Sequence, residues 1–135
     1  MEFNLASDIQ KRINKILKKI NFPHIGPENA KRIVCFRSYG STSRARARIW
    51  SLPRIWQKAL RVNPHYCIEV LSEKFDRMSK VNQTKVLIHE LLHIPKTFSG
   101  ALLPHRGRGR VKVDARTVNK IYKQYQKPKI QTQKF

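Results

Sequence analysis

Apolar positions recur along the chain with two different periods, and these periods outline its elements before any chemistry is considered. Ile9, Ile13, Ile16 and Ile20, widened by Leu17, repeat at helical spacing with lysines on the other face. They predict an amphipathic helix over residues 7–20 with Ser7 as its N-cap. The stretch Asn21-Phe22-Pro23-His24-Ile25-Gly26-Pro27 breaks that helix, and His24 reads as a loop residue without chemistry. Arg32-Ile33-Val34-Cys35-Phe36-Arg37 reads as a buried strand, and a second strand is expected from Ala45 to about Leu52. Pro53 opens a short helix through Ile55, Trp56 and Leu60; Trp50 and Trp56 lie in apolar patterns and are expected to anchor the core. After the Asn63-Pro64 turn, Tyr66–Leu71 reads as a strand and residues 72–78 as a short helix or connection. A helix over about 83–94, capped by Asn82 and stopped by Pro95, leads into a loop over 95–110. Val118, Ile121, Tyr122 and Tyr125 then predict a last helix over about 114–126. This order predicts an α+β fold, with helices packed on one face of a small sheet. One domain over residues 1–126 is expected, followed by a basic flexible tail over 127–135.

The chemistry is concentrated in one pentapeptide, His89-Glu90-Leu91-Leu92-His93. On a helix, positions i and i+4 project from the same face one turn apart. Two imidazoles so placed can share one tetrahedral Zn²⁺, and the glutamate between them can reach a water on the metal as general base. The apolar run Val86-Leu87-Ile88 ahead of it suits a helix buried beneath such a site. A catalytic zinc usually takes three protein ligands. Downstream of His93 there is no glutamate; the only carboxylate is Asp114 and the only histidine is His105. Asp114 stands ahead of a helical pattern and reads as an N-cap, whereas His105 lies in a loop that can fold back. The longer HExxHxxGxxH pattern fails, because Ser99 occupies the position of its third histidine. His89, His93 and His105 are therefore the candidate ligands and Glu90 the candidate catalytic residue. The rival readings are an ordinary buried helix and, for His105, a solvated histidine in a basic loop.

Charge changes the picture further. The chain has 135 residues with 29 Lys+Arg against 8 Asp+Glu, a formal net charge of +21. Such an excess favours nucleic acid or another acidic polymer, non-specifically and electrostatically. The basic residues cluster: Arg44, Arg46 and Arg48 alternate in one segment, and Arg106, Arg108 and Arg110 alternate in another. In a strand the first three would share a face. These six arginines are the candidate nucleic-acid contacts. No run of eighteen apolar residues exists and no secretory signal is evident at Met1-Glu2-Phe3-Asn4-Leu5, so neither membrane nor export is expected. Cys35 and Cys67 read as buried thiols rather than a disulfide, and neither belongs to a CxxC pair; a cytoplasmic location follows.

From Leu60 to His93 the chain resembles SprT-like and related minimal zincin metallopeptidases, in the Val62-Asn63-Pro64 turn, the strand through Leu71 and the HExxH helix. The segments Ala47–Trp56, Ile94–Gly100 and Pro104-His105 are closer still to small metallopeptidases of archaea, bacteria and phages, a likeness covering roughly residues 30–125. The resemblance implies a minimal zincin-like fold in which the strand before the HExxH helix is a sheet edge able to pair with an extended peptide. It also implies one catalytic Zn²⁺ on His89, His93 and His105, with Glu90 catalytic. Many SprT-like proteins act near DNA, but the C-terminal zinc ribbon that many carry is absent.

The expected activity is zinc-dependent hydrolysis of peptide bonds in protein or peptide substrates, including nucleic-acid-associated proteins. Extended substrate would add to an edge strand at Tyr66–Leu71. Tyr39 and Arg106 are candidates for a second oxyanion donor. The alternative is a nucleic-acid-binding protein with a structural or inactive zincin core.

Overall fold

A computed structural model describes residues 1–20, 22, 25–105 and 113–127. The chain runs β1 (Glu2–Leu5), α1 (Ser7–Lys19), α2 (Pro27–Ala30), β2 (Ile33–Tyr39), β3 (Ala47–Ser51), α3 (Arg54–Leu60), β4 (Tyr66–Leu71), α4 (Ser72–Phe75), α5 (Lys80–Leu92) and α6 (Ala115–Gln126). It is an α+β arrangement around a four-stranded mixed sheet of order β1-β2-β4-β3. β2 and β4 are parallel, and β1 and β3 flank them antiparallel.

The period-two pattern decides which side of the sheet is covered. Ile33 and Cys35 of β2 stand in register with Tyr66 and Ile68 of β4, and all four are buried. Against this face pack Ile9, Ile13 and Ile16 of α1, Leu87, Ile88 and Leu91 of α5, and Val118 of α6. Each fully buried branched aliphatic side chain contributes roughly 1.5–3 kcal/mol. Polar bonds set the register of the helices. Arg12 of α1 reaches the Gln83 and Thr84 side chains of α5, at 2.6 and 3.0 Å. Gln10 satisfies both the Ile33 carbonyl and the Cys35 amide on β2, so neither of these two strand groups is left unbonded.

The opposite face is not covered by these helices, and it overturns part of the sequence reading. Trp50 and Trp56 are 49% and 55% exposed, not core anchors. In β3, neighbours alternate faces; Ile49 stands opposite the buried Ile68 on the packed side, so Trp50 falls on the other. α3 has no buried residue at all. Two caps also move. α1 begins at Ser7 itself, and its N-cap Ala6 makes no side-chain bond. α5 begins one turn early, where the Ser79 hydroxyl accepts the Asn82 amide at 3.2 Å, so Asn82 is a first-turn residue and not the cap.

The larger correction concerns the sheet edge. β4, the strand before the HExxH helix, is interior, hydrogen-bonded to β2 on one side and to β3 on the other. Tyr66–Leu71 therefore has no free flank for a peptide. Its near-continuous burial follows from that interior place: the helices cover one side of it, and on the other the side chains of Arg48 and Trp50 bond Glu69. The edges are β3 and β1, and β1 was not expected from the sequence, its alternation being only a few residues long. Cys35 and Cys67 are both free thiols; burial pushes Cys35 up to about 12, so it is inert.

Candidate metal centre

α5 supplies the first two imidazoles. Leu87, Ile88 and Leu91 fix its buried side, which turns His89 toward a cleft. His93 is the C-cap, still in right-handed helical conformation (φ −70°, ψ −16°), so the one-turn spacing to His89 survives at the very end of the helix. The Nε2 atoms of the two rings are 3.3 Å apart.

The third imidazole arrives on the following loop, residues 95–105, which is tied down at several points. The Leu103 amide donates to the His93 carbonyl at 2.7 Å. The His93 ring answers: its Nδ1–H donates to the Leu103 carbonyl. A carbonyl only accepts, so the proton sits on Nδ1 and the Nε2 lone pair faces the cleft. Beneath the loop, the Tyr66 hydroxyl accepts the Gly100 amide at 2.9 Å and donates to the Ala101 carbonyl at 2.8 Å. Gln57 bonds the Leu52 and Ser99 carbonyls. Gly100 has φ +96°, and a Cβ there would lie 2.3 Å from Gln57 Nε2 and 2.9 Å from the Leu52 carbonyl oxygen. Only glycine fits that turn. The loop so held brings His105 Nε2 to 3.0 Å from His89 Nε2.

His89, His93 and His105 thus offer three donor nitrogens within 4.8 Å of one another and could hold a metal ion. Tetrahedral coordination with nitrogens about 2.0–2.1 Å from the ion spaces them roughly 3.3 Å apart, which the 3.0 and 3.3 Å separations approach. Protons fill such a cluster poorly. Burial first, then the neighbouring His93 and His105, holds His89 down to about 4. His93 is also lowered, chiefly by burial. Neutral imidazoles aimed at one point suit a cation.

Glu90 lies beside this cluster, 6% exposed, with Oε2 4.0 Å from His89 Nε2. Burial pushes its carboxyl up to about 8. His89 and Glu90 line two adjoining cavities, of about 560 and 490 Å³, along the β3 side of the cleft. Ala45 and Ala47 line both, and the outer flank of β3 carries no other strand among the described residues.

The remaining candidates are scattered. Arg44 and Arg46 are exposed and precede β3, which starts only at Ala47, so the expected three-arginine strand face does not form. Arg48 is inside β3 and pairs with the buried Glu69 at 2.7 Å, while Trp50 Nε1 donates to the same carboxylate at 2.8 Å. Burial alone would raise that carboxyl; the bonds from Arg48 and Trp50 hold it low. Tyr39 ends β2 and does not line the cavities at His89 and Glu90. Arg106, Arg108 and Arg110, like His24, lie outside the described residues. Sequence reasoning missed Leu103, Gln57 and Tyr66. Of these only Tyr66 carried a signal, as a tyrosine in an aliphatic strand whose hydroxyl needs a partner.

Among the described residues no helix is long and apolar enough to cross a membrane. No curated protein and no solved structure shows a significant match to the chain. A family match does exist, and it spans nearly the whole length: over residues 1–134 the chain fits, and belongs to, the family described as "Putative phage metallopeptidase".

Proposed function

We propose that this chain is a zinc peptidase, with His89, His93 and His105 as the metal ligands and Glu90 as general base. The observation that carries this reading is the convergence of three imidazole nitrogens on a cleft floor that also holds a buried carboxyl. Three neutral imidazoles with a position left open are the donor set of a catalytic rather than a structural zinc. When bound there, zinc would act as a Lewis acid on the scissile carbonyl and make water acidic near neutrality.

The chain's own residues do the rest. Glu90 accepts a proton from the attacking water and passes it to the departing amine. Burial raises its affinity for a proton, which favours the first of these transfers, from the water to the carboxylate. The bond from the Nδ1–H of His93 to the Leu103 carbonyl orients one ring and makes it more basic. The free flank of β3 is the surface on which an extended peptide can add as a further strand across the cleft. With a net charge of +21, the protein would also reach substrates carried on nucleic acid by non-specific attraction.

The test is metal content and peptide cleavage on the wild type and on Glu90→Gln. We expect about one zinc per chain in both, with the variant slower by roughly 10²–10⁴-fold. Metal-free wild type that refuses added zinc, or equal turnover by both proteins, would sink the reading.

A further inference from the structure

Resting on the peptidase reading, we propose that one end of the cleft is a cationic subsite that selects acidic side chains on one side of the scissile bond. A cavity of about 510 Å³ there is bounded by Arg44, Arg46, Lys74 and Arg77. Ala45, Arg46 and Met78 line both this cavity and the one containing His89 and Glu90, so the two adjoin. Glu73 is the one carboxylate in its wall, and its Oε2 is engaged by the Gly40 amide at 3.1 Å. Lys74 is held in place by donating from Nζ to the Ser43 carbonyl.

The alternating arginines therefore divide into two roles. Arg48 is spent on the buried Glu69 inside β3. Arg44 and Arg46, just ahead of the strand, add charge to the cleft end. An extended peptide advances about 3.3 Å per residue. A chain lying along β3 with its scissile bond near Glu90 would place residues a few positions away beside these cations. Each exposed pair contributes about threefold, and at most about fivefold, so two acidic residues on the peptide multiply to a preference of roughly tenfold. An acidic peptide is favoured over a phosphate backbone because the cavity adjoins the cleft that holds Glu90.

The test is binding of a short acidic peptide and of its lysine-for-glutamate counterpart to zinc-loaded Glu90→Gln protein, read by fluorescence anisotropy. We expect the acidic peptide to bind about tenfold tighter at low salt, with the gap narrowing as salt screens it. Arg44→Glu with Arg77→Glu, both at exposed positions, should invert the ratio. Lys11→Glu with Lys15→Glu, on the exposed side of α1, changes net charge equally and should leave the ratio within about twofold. Equal binding of the two peptides, or equal effects of the two double substitutions, would overturn the subsite. So would a single-stranded oligonucleotide that depends on Arg44 and Arg77 while both peptides bind alike, which would assign the cavity to nucleic acid. Because Glu90→Gln is not required to turn over, the ratio stands apart from catalysis. A preserved ratio with no cleavage by wild type would reject the peptidase reading and keep the subsite.

Discussion

Two arms carry histidines to the same point, and they are built on different principles. α5 places His89 and His93 by backbone periodicity, so any sequence that maintains the helix maintains the pair. The loop arm places His105 through particular bonds, from Tyr66 to Gly100 and Ala101, from Gln57 to Ser99, and between His93 and Leu103. The helical arm is stiff because every residue is bonded to its own turn. The loop arm is stiff only where distant residues hold it. His93 belongs to both arms, as a donor nitrogen and as the loop's anchor.

That shared role gives the largest expected effect. His93→Ala should weaken zinc binding by more than about a hundredfold, beyond what loss of a supporting contact alone produces. It should also free residues 99–105, seen as faster hydrogen exchange at the Gly100 amide. His89→Ala should match it in metal affinity but leave that exchange unchanged, because its ring meets the loop at His105, away from Gly100 and Leu103. If both substitutions loosen the loop equally, the two arms are not separable. His105→Ala comes next: it removes one nitrogen and no anchor, so metal affinity should fall at least tenfold, but by less than in His93→Ala. Metal titration by calorimetry ranks the three.

The same contrast explains what was legible in the sequence. His89, Glu90 and His93 are read from five consecutive residues, because helical spacing is a local rule. His105 could be reached only by elimination and by the family resemblance, since nothing in Leu103-Pro104-His105 records that Tyr66 and Gln57 lie beneath the loop, 34 and 42 residues from their partners. The α6 cap at Asp114, which accepts the Thr117 amide at 2.8 Å, is local and was expected. The edge strand was assigned to Tyr66–Leu71 from the family resemblance, and the hydrophobic run there could not correct it, because such runs do not report pairing partners. β1 escaped notice for a different reason: Phe3-Asn4-Leu5 alternates, but over too few residues to mark a strand, and both apolar side chains stay exposed.

A smaller effect probes the helical arm through pH in the metal-free protein. His89 is held from 6.5 down to about 4, so its contribution to stability is present above pH 6.5 and lost as pH falls through 4. Glu90 is raised from 4.5 to about 8, so its contribution is present below pH 4.5 and lost as pH rises through 8. Between pH 6.5 and 8 the Glu90 term dominates over the last of the His89 and His93 terms, and stability should fall by up to about 2 kcal/mol. A bound cation favours the carboxylate and should remove the decline. Melting temperatures at both pH values, with and without zinc, decide the matter; an undiminished decline with zinc bound would mean that Glu90 does not face the metal.

The smallest expected effect tests the loop arm where it is furthest from the metal. Tyr66 is fully buried in β4, and its hydroxyl is the one side-chain group bonded to both Gly100 and Ala101. Tyr66→Phe keeps the ring, and with it the edge-to-face contact on Phe98 at 5.0 Å, so the core beneath the sheet should repack little. It leaves the Gly100 amide and the Ala101 carbonyl without that partner, at a cost of about 1–3 kcal/mol if water does not replace it. Ala101 is exposed and Gly100 partly so, which puts the expectation at the low end, near 1 kcal/mol. The loss should fall on the loop: zinc affinity should drop severalfold in Tyr66→Phe, while the same substitution made together with His105→Ala should cost no further affinity. Such non-additivity is what two residues acting through one arm must give. Additive losses would place the influence of Tyr66 on α5 instead, and the division into two arms would fail.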